Sequence, residues 1–241
     1  MSSLFNPVVA AITTRATMGR RRALLFAIPA VILIALTLVL RASRPAGQWP
    51  DLVLGDFGFS VLLPLTALII GTGVLGAEID DGSAIHLLAT PVRRSSVIVT
   101  KWAVAATLTI LFASVPELLA GLLAPNSGKL ALALFTGSLA GSVIYTAVFV
   151  AASVLTNRAI ALGLLYVLVW EALLASLVGG ARILSIAHYS LGIANAIYPD
   201  DNLNAGLTLT TSVALGIVVT AGALVLATRR LAAFAIKGEP A

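Results

Sequence analysis

The sequence has little charge and no cysteine, and these two shortages exclude several classes of protein at once. Charged residues make up only 10% of the 241 residues, whereas a soluble domain carries about 25%. So few charges do not cover the surface of a soluble enzyme or of a DNA-binding domain. Without cysteine there is no disulfide framework, no thiol nucleophile and no cysteine-ligated metal.

A phosphate-binding loop of the form Gly-x4-Gly-Lys-Ser/Thr is also missing from the sequence. We therefore expect that the chain does not bind and hydrolyse ATP by that route, and that it binds no cofactor of its own. Because only two histidines are present and no His/Glu pair has metal-ligand spacing, neither catalytic residues nor a metal site is predicted. What the chain does contain is 59% apolar residues, a composition that indicates an integral membrane protein.

Six apolar stretches are long enough to cross a bilayer as helices. A hydrocarbon core about 30 Å thick requires ~20 apolar helical residues. The six stretches are Ala23–Leu40, Phe57–Gly76, Val97–Ala120, Leu130–Leu155, Ile160–Val178 and Gly206–Ala227. The hydrophilic remainder is too short for a separate soluble domain. The sequence thus predicts one all-α integral membrane domain with six transmembrane helices.

The basic residues are distributed unevenly between the two sides of this predicted bundle. If the N-terminus is cytoplasmic, the outer side holds only four of the 15 Lys and Arg residues, namely Arg41, Arg44, Lys129 and Arg182. Cytoplasmic loops of membrane proteins carry an excess of Lys and Arg. The bias therefore predicts that both termini are cytoplasmic. It also accounts for the net charge of +5 without a nucleic-acid partner.

Residues 5–18, which precede the first span, have an amphipathic helical pattern. Five apolar residues share one face at helical spacing: Phe5, Val8, Val9, Ile12 and Ala16. The pattern predicts a helix that lies in the cytoplasmic membrane interface, with a short disordered tail as the alternative. Between the fifth and sixth spans, residues 179–205 are too apolar for a free loop. They predict short interfacial or re-entrant helices on the outer side.

The most informative segment lies between the second and third spans, over residues 78–94. It opens with three acids, although the cytoplasmic side is otherwise basic. Ser83 is suited to cap a short helix, and Pro91 would end it. An apolar ridge follows the cap, formed by Ile85 and Leu88, with Ala84 and Leu87 placed more loosely. Such a ridge has to be buried, either against its own bundle or in another protein.

The order of residues in this segment resembles the signature of ABC-2-type permeases, the membrane subunits of one class of ATP-binding-cassette (ABC) transporter. The matching positions are Glu78, Asp81, Gly82, Ser83, Leu87, Leu88, Pro91, Val92, Arg94 and Lys101. The six spans, the N-terminal interfacial helix and an Arg-rich tail over Arg229–Phe234 extend the resemblance across residues 1–241. The family resemblance gives no expectation for position 86, where this chain has His86 before the Leu pair.

The resemblance implies that this segment is a coupling helix, which seats in a groove on a separate cytosolic ATPase. The residues implied in coupling are Glu78, Asp81, Gly82, Ser83, Ile85, Leu87, Leu88, Pro91, Arg94 and Lys101. Two copies of the ATPase would bind ATP and Mg²⁺, and a second permease copy or a related permease would complete the membrane unit. The expected function is outward transport of a hydrophobic or amphipathic substrate across the lipid of a bacterial plasma membrane.

A function of another class stays open at this point, namely a stand-alone ion-coupled carrier or channel that has no ATPase. A carrier is expected to have repeats with Gly- or Pro-broken helices at matching positions in its two halves. The sequence contains no such repeat. An intramembrane enzyme is disfavoured by the lack of cysteine and the scarcity of histidine.

Within the spans, two acids and two glycines attract attention. A charge inside the bilayer costs about 2.5–3.5 kcal/mol on insertion scales unless it is paired, neutralised or hydrated. Glu171 either faces the substrate path, where it would attract a cationic or hydroxylated group, or is a protonated carboxyl bonded to a neighbouring helix. For Glu117, near the outer end of the third span, the second alternative is favoured. Gly137 and Gly141 form a small-xxx-small pattern that predicts close helix packing.

Overall fold

The structure is a computed structural model that describes residues 5–43, 51–75, 93–124, 127–174, 179–200, 203 and 206–237. Within these ranges all regular secondary structure is helical. The α-helices are α1 (Pro7–Thr17), α2 (Arg20–Ser43), α3 (Leu63–Gly73), α4 (Arg94–Thr109), α5 (Val115–Leu123), α6 (Ser127–Leu155), α7 (Ala159–Leu165), α8 (Ile186–Ile197) and α9 (Leu209–Lys237).

Three π-helical segments and one 3₁₀-helix complete these elements. The π-helical segments are Asp51–Leu62 before α3, Ile110–Ser114 between α4 and α5, and Tyr166–Leu174 after α7. The 3₁₀-helix Gly179–Leu184 precedes α8. Pro64 and Pro116 each lie in the first turn of the α-helix that follows a π-helical segment, and because both lie inside continuous rods, the missing N–H leaves a carbonyl of the preceding turn without its helical donor.

Five helical rods are long and apolar enough to cross a membrane, namely Ala23–Ser43, Val53–Gly73, Arg94–Leu123, Gly128–Leu155 and Leu209–Ala233. They coincide with five of the six predicted spans, and their ends differ from the predicted ends by a few residues. The remaining predicted span, Ile160–Val178, begins with a shorter apolar helix over Ala159–Glu171. The chain is thus a multi-pass membrane protein, while six crossings and cytoplasmic termini stay predictions.

The central helix of the bundle is α6, which contacts α3, α5, α8 and α9. Two small residues allow these close contacts. A Cβ atom added to Gly137 would lie 2.6 Å from the carbonyl oxygen of Ser190 on α8, and one added to Gly141 would lie 2.5 Å from Leu63 Cδ2 on α3. These are the positions of the predicted small-xxx-small pattern, and both face α8, because a Cβ atom added to Gly141 would also lie 2.5 Å from Ser190 Oγ.

The helix α1 packs against α4 at the start of the chain. Asn6 caps α1 by accepting the N–H groups of Val8 and Val9, and its own N–H donates to Thr100 Oγ1 at 3.0 Å. Val9 is buried against the bundle, whereas the side chains of Val8 and Ile12 are 64% and 60% exposed. A helix is therefore present where the pattern predicts one. Its exposed apolar face points away from the protein, where an interfacial helix would meet lipid.

Candidate functional site

Most of the predicted coupling residues lie outside the described residues, namely Glu78, Asp81, Gly82, Ser83, Ile85, Leu87, Leu88 and Pro91. Arg94 and Lys101 are described, and both belong to α4. Arg94 is the first residue of that helix. Lys101 lies two turns further on, and its side chain is 0% exposed.

Lys101 joins the two helices that flank residues 76–92. Its Nζ donates a hydrogen bond to the carbonyl oxygen of Val74 at 2.8 Å. Val74 is the C-cap residue of α3, so the ammonium group lies at the negative end of that helix, which favours a cation. A buried ammonium group is costly unless polar partners surround it. The bond therefore fixes α4 to the end of α3 from which residues 76–92 depart.

Glu171 is a buried acid. Its side chain is only 3% exposed, and its carboxylate accepts four hydrogen bonds. Oε1 accepts from Tyr145 Oη at 2.9 Å, from Tyr166 Oη at 2.7 Å and from the backbone N–H of Ile186 at 2.9 Å. Oε2 accepts from Ser185 Oγ. We call Glu171 and these four donors the Glu171 cluster.

The Glu171 cluster connects three elements that are distant in the sequence. Tyr145 comes from α6, and Tyr166 and Glu171 come from one π-helical segment, in which residues five apart are hydrogen-bonding neighbours along the backbone. Ser185 is the N-cap of α8, so the carboxylate lies at the positive end of that helix. The cluster thus attaches α8 to α6 and to the segment that follows α7.

His188 extends the cluster by one residue. Its Nδ1 lies 2.8 Å from Ser185 Oγ. Burial, with a smaller contribution from the positive charge of Arg182, lowers the pKa of His188 to about 4, so the imidazole is neutral at pH 7. Because the single hydroxyl proton of Ser185 is donated to Glu171, the Nδ1 atom of a neutral His188 would carry the proton that this contact needs.

The burial of Glu171 affects whether a substrate can reach its carboxylate, as the predicted role in a substrate path requires. Both carboxylate oxygens accept hydrogen bonds from protein donors, and the side chain is only 3% exposed, so a substrate group would need a change in packing to reach Glu171. The role in a substrate path stays a prediction. The donors themselves were missed by the sequence reasoning, although Ser185, three residues before His188, is a recognisable N-cap position.

Glu117 is buried to the same degree, at 1% exposed, but its surroundings are different. Neither carboxylate oxygen has a hydrogen-bond partner within the described part of the chain. The side chain lines a cavity of about 10 Å³ together with residues of α2, α3 and the third rod. The neighbouring helix hydrogen bond that the sequence favoured for Glu117 is therefore not among the described contacts.

A much larger groove, of about 640 Å³, opens beside α7. Its walls come from α1, α2, α3 and the end of α6. Apolar side chains such as Phe26, Ile69 and Leu164 line one part of it, and Asn157 and Arg158 line another. The groove is thus amphipathic, with a basic group on one wall.

The apolar helical rods describe a multi-pass membrane protein. Residues 19–197 match the sequence profile of the family described as ABC-2 family transporter protein. This match covers most of the chain, and the chain belongs to the ABC-2 transporter family. It is accordingly a permease, a membrane component of transport, and families of this kind work in general with an ABC ATPase subunit. No curated protein matched the chain.

Proposed function

We propose that the chain is the permease subunit of an ABC exporter that moves a hydrophobic or amphipathic substrate outward. In this proposal a separate ATPase, in two copies, docks on the coupling helix over residues 78–94 and supplies the energy by ATP hydrolysis. A second permease copy, or a related permease, completes the membrane unit. The observation that carries the proposal is family membership, together with the buried bond between Lys101 and Val74.

The bond supports the proposal because a docked ATPase has to move helices rather than a loop. Residues 76–92 are joined to α3 on one side and to α4 on the other. With Lys101 Nζ fixed to the Val74 carbonyl at 2.8 Å, a displacement of the coupling helix would reach α3 and α4 together. Because α3 also contacts α6, the displacement would continue into the centre of the bundle as a rigid-body movement.

The groove beside α7 supports an amphipathic substrate class. Its apolar wall would hold an aliphatic or aromatic part of the substrate, and Arg158 and Asn157 would contact a polar or anionic part. Its volume of about 640 Å³ is within the range of sites for small organic molecules.

The test places two charges on the coupling ridge. In the double variant L87D/L88D we expect normal insertion but loss of the co-purifying ATPase, because two unpaired carboxylates would replace apolar side chains in the docking groove. The matched control is V8D/I12D, which adds the same two charges to the exposed face of α1 and should leave the ATPase bound. An ATPase that still co-purifies with L87D/L88D contradicts the coupling assignment.

A second variant tests transmission separately from docking. In K101M the ATPase should still co-purify, because the ridge is unchanged, while transport per ATP hydrolysed should fall, because α4 is no longer bonded to the end of α3. Transport and ATP hydrolysis measured on the same reconstituted vesicles give this ratio. An unchanged ratio would show that the bond between Lys101 and Val74 carries no coupling.

A further inference from the structure

The carboxyl group of Glu117 has no explanation in the proposed function. It lies where α5 meets α2 and the segment Asp51–Leu62, it is 1% exposed, and both oxygens lack hydrogen-bond partners within the ranges that the structure describes. We propose that Glu117 is a proton-binding site, whose carboxyl carries a proton in this packed conformation and gives it up when water reaches it.

The first argument concerns charge. An ionised carboxylate in apolar surroundings is strongly disfavoured unless a cation or several donors compensate it. Glu171 has four donors, whereas Glu117 has none among the described groups. Uptake of one proton removes the charge and leaves a neutral acid, which the surrounding side chains tolerate far better.

Among the side chains that the structure describes, no charged or titratable group on the packed elements supplies the missing partner. On α2, Arg41 Nη1 donates to the carbonyl oxygen of Leu123 at 2.9 Å, more than one turn beyond Glu117. On α6, Lys129 is exposed and Tyr145 donates to Glu171. The helix α3 contains no titratable residue. The segment Asp51–Leu62 contributes Asp51 and Asp56, whose side chains lie outside the described set.

The second argument is that the site has room for the partner that an acid proton needs. The cavity of about 10 Å³ beside Glu117 is lined by Thr66, Phe112 and Pro116, and it is roughly large enough for one water molecule. Pro116 has no N–H, so one carbonyl in the preceding turn loses its helical donor. A single water in the cavity would accept the acid proton and donate to an oxygen of this kind.

The third argument is that the opposite helix is shaped to admit the carboxyl group. A Cβ atom added to Gly58 would overlap Glu117 Oε1. Glycine at this position leaves space for the carboxyl in the conformation that the structure shows. The overlap also means that a substitution at position 58 changes the surroundings of the carboxyl without removing it.

The helices that enclose Glu117 belong to the first three spans, and any separation of them would admit water to the carboxyl. The proton would then be lost to the water, and a solvated carboxylate would be left until the helices pack again. Each cycle of opening and packing would exchange one proton. The inference concerns the carboxyl itself and holds whether or not an ATPase binds the chain.

The test is infrared difference spectroscopy of the full-length chain in lipid vesicles at neutral pH, where a solvated glutamate is ionised. The wild-type spectrum minus the E117Q spectrum should contain the carbonyl stretching band of one protonated carboxylic acid, which shifts when hydrogen is exchanged for deuterium. The matched control E171Q should leave that band in place. A difference spectrum that contains only carboxylate bands would overturn the proposal.

Two further measurements keep the test decisive if E117Q folds poorly. In G58A, which retains the carboxyl, the acid band should shift in frequency because the added methyl group displaces Oε1. An acid band with the wild-type frequency in G58A contradicts the position of the Glu117 carboxyl beside Gly58. If the band is absent and a carboxylate band shifts between sodium and potassium buffers, Glu117 binds a metal cation instead, and the proton-binding proposal is wrong.

Discussion

Glu117 and Glu171 are two carboxyl groups of the same residue type, both buried in helices of an apolar chain, and the structure provides for them in opposite ways. Glu171 receives four donors from three elements, whereas Glu117 has no described partner and lies beside a small cavity. The comparison teaches that burial alone does not decide the state of an acid. The donors that converge on the carboxyl differ as well: four reach Glu171, whereas none of the described groups reaches Glu117, where an ionised carboxylate would be uncompensated.

The largest expected effect comes from removing the acceptor at the centre of the Glu171 cluster. In E171L four buried donors lose their acceptor, and each unsatisfied donor costs about 1–3 kcal/mol. We expect the free energy of unfolding to fall by about 3 kcal/mol or more, since some donors find substitute partners. Unfolding in detergent micelles, followed by circular dichroism, measures the loss. A cost below about 1 kcal/mol would show that the cluster does not hold α8.

A smaller effect is expected from removing one donor at a time. Y166F deletes the hydroxyl that donates to Glu171 Oε1 at 2.7 Å and should cost about 1 kcal/mol, because the net contribution of one intramolecular hydrogen bond to stability is modest. In the E171Q background the same change should cost less, since an amide is a weaker acceptor than a carboxylate. Equal costs in the two backgrounds would show that the Tyr166 hydroxyl does not stabilise the protein through Glu171.

A conditional effect is expected at Gly58. In G58A the added methyl group would overlap Glu117 Oε1, and because that atom is the end of a flexible side chain, we expect a cost at the low end of the about 1–3 kcal/mol typical of overpacking. In the double variant G58A/E117A the cost should largely disappear, because the space of the carboxyl is vacated. The melting temperature of G58A is compared with that of the wild type, and the melting temperature of G58A/E117A with that of E117A. The difference between the two comparisons measures the coupling between positions 58 and 117. A cost that persists in the E117A background would place the strain elsewhere.

The smallest effect is expected from E117Q. No described hydrogen bond is lost, and the amide has the shape of a protonated carboxyl, so the free energy of unfolding should change by less than about 1 kcal/mol at neutral pH. The same substitution at Glu171 provides the comparison, because there the amide has to replace an acceptor of four hydrogen bonds. If E117Q is more destabilising than E171Q, the contrast between the two acids is wrong.

Much of the fold follows from the sequence because bilayer thickness fixes the length of a span. Five predicted spans coincide with apolar rods, and the helix before Met18 follows from the spacing of Phe5, Val8 and Ile12. The segment that follows α7 is different. Only Ala159–Glu171 is an apolar helix there, and the rest of the predicted span lies partly outside the described residues. Its π-helical geometry over Tyr166–Leu174, like that of the segments before α3 and α5, does not follow from a 3.6-residue pattern.

The candidate site could be predicted only in part, and the reason is the distance in sequence between its members. Glu171 is visible as an acid in an apolar run, yet its donor Tyr145 is 26 residues away on a helix that is buried on several sides. Nothing in the local pattern at Tyr145 differs from an ordinary core tyrosine. The contrast with Glu117 depends likewise on Gly58, which meets it only through helix packing.

The coupling residues differ from the Glu171 cluster. A local sequence pattern predicts them, but most of them lie outside the described residues. The measurement that tests the account most directly is therefore photo-crosslinking from Leu88 in the assembled transporter, with a crosslinker at Ile12 as control. The account predicts a crosslink to an ABC ATPase from position 88 and none from position 12. Crosslinks from position 88 to the chain's own helices alone, in an assembly that transports without an ATPase, would contradict it.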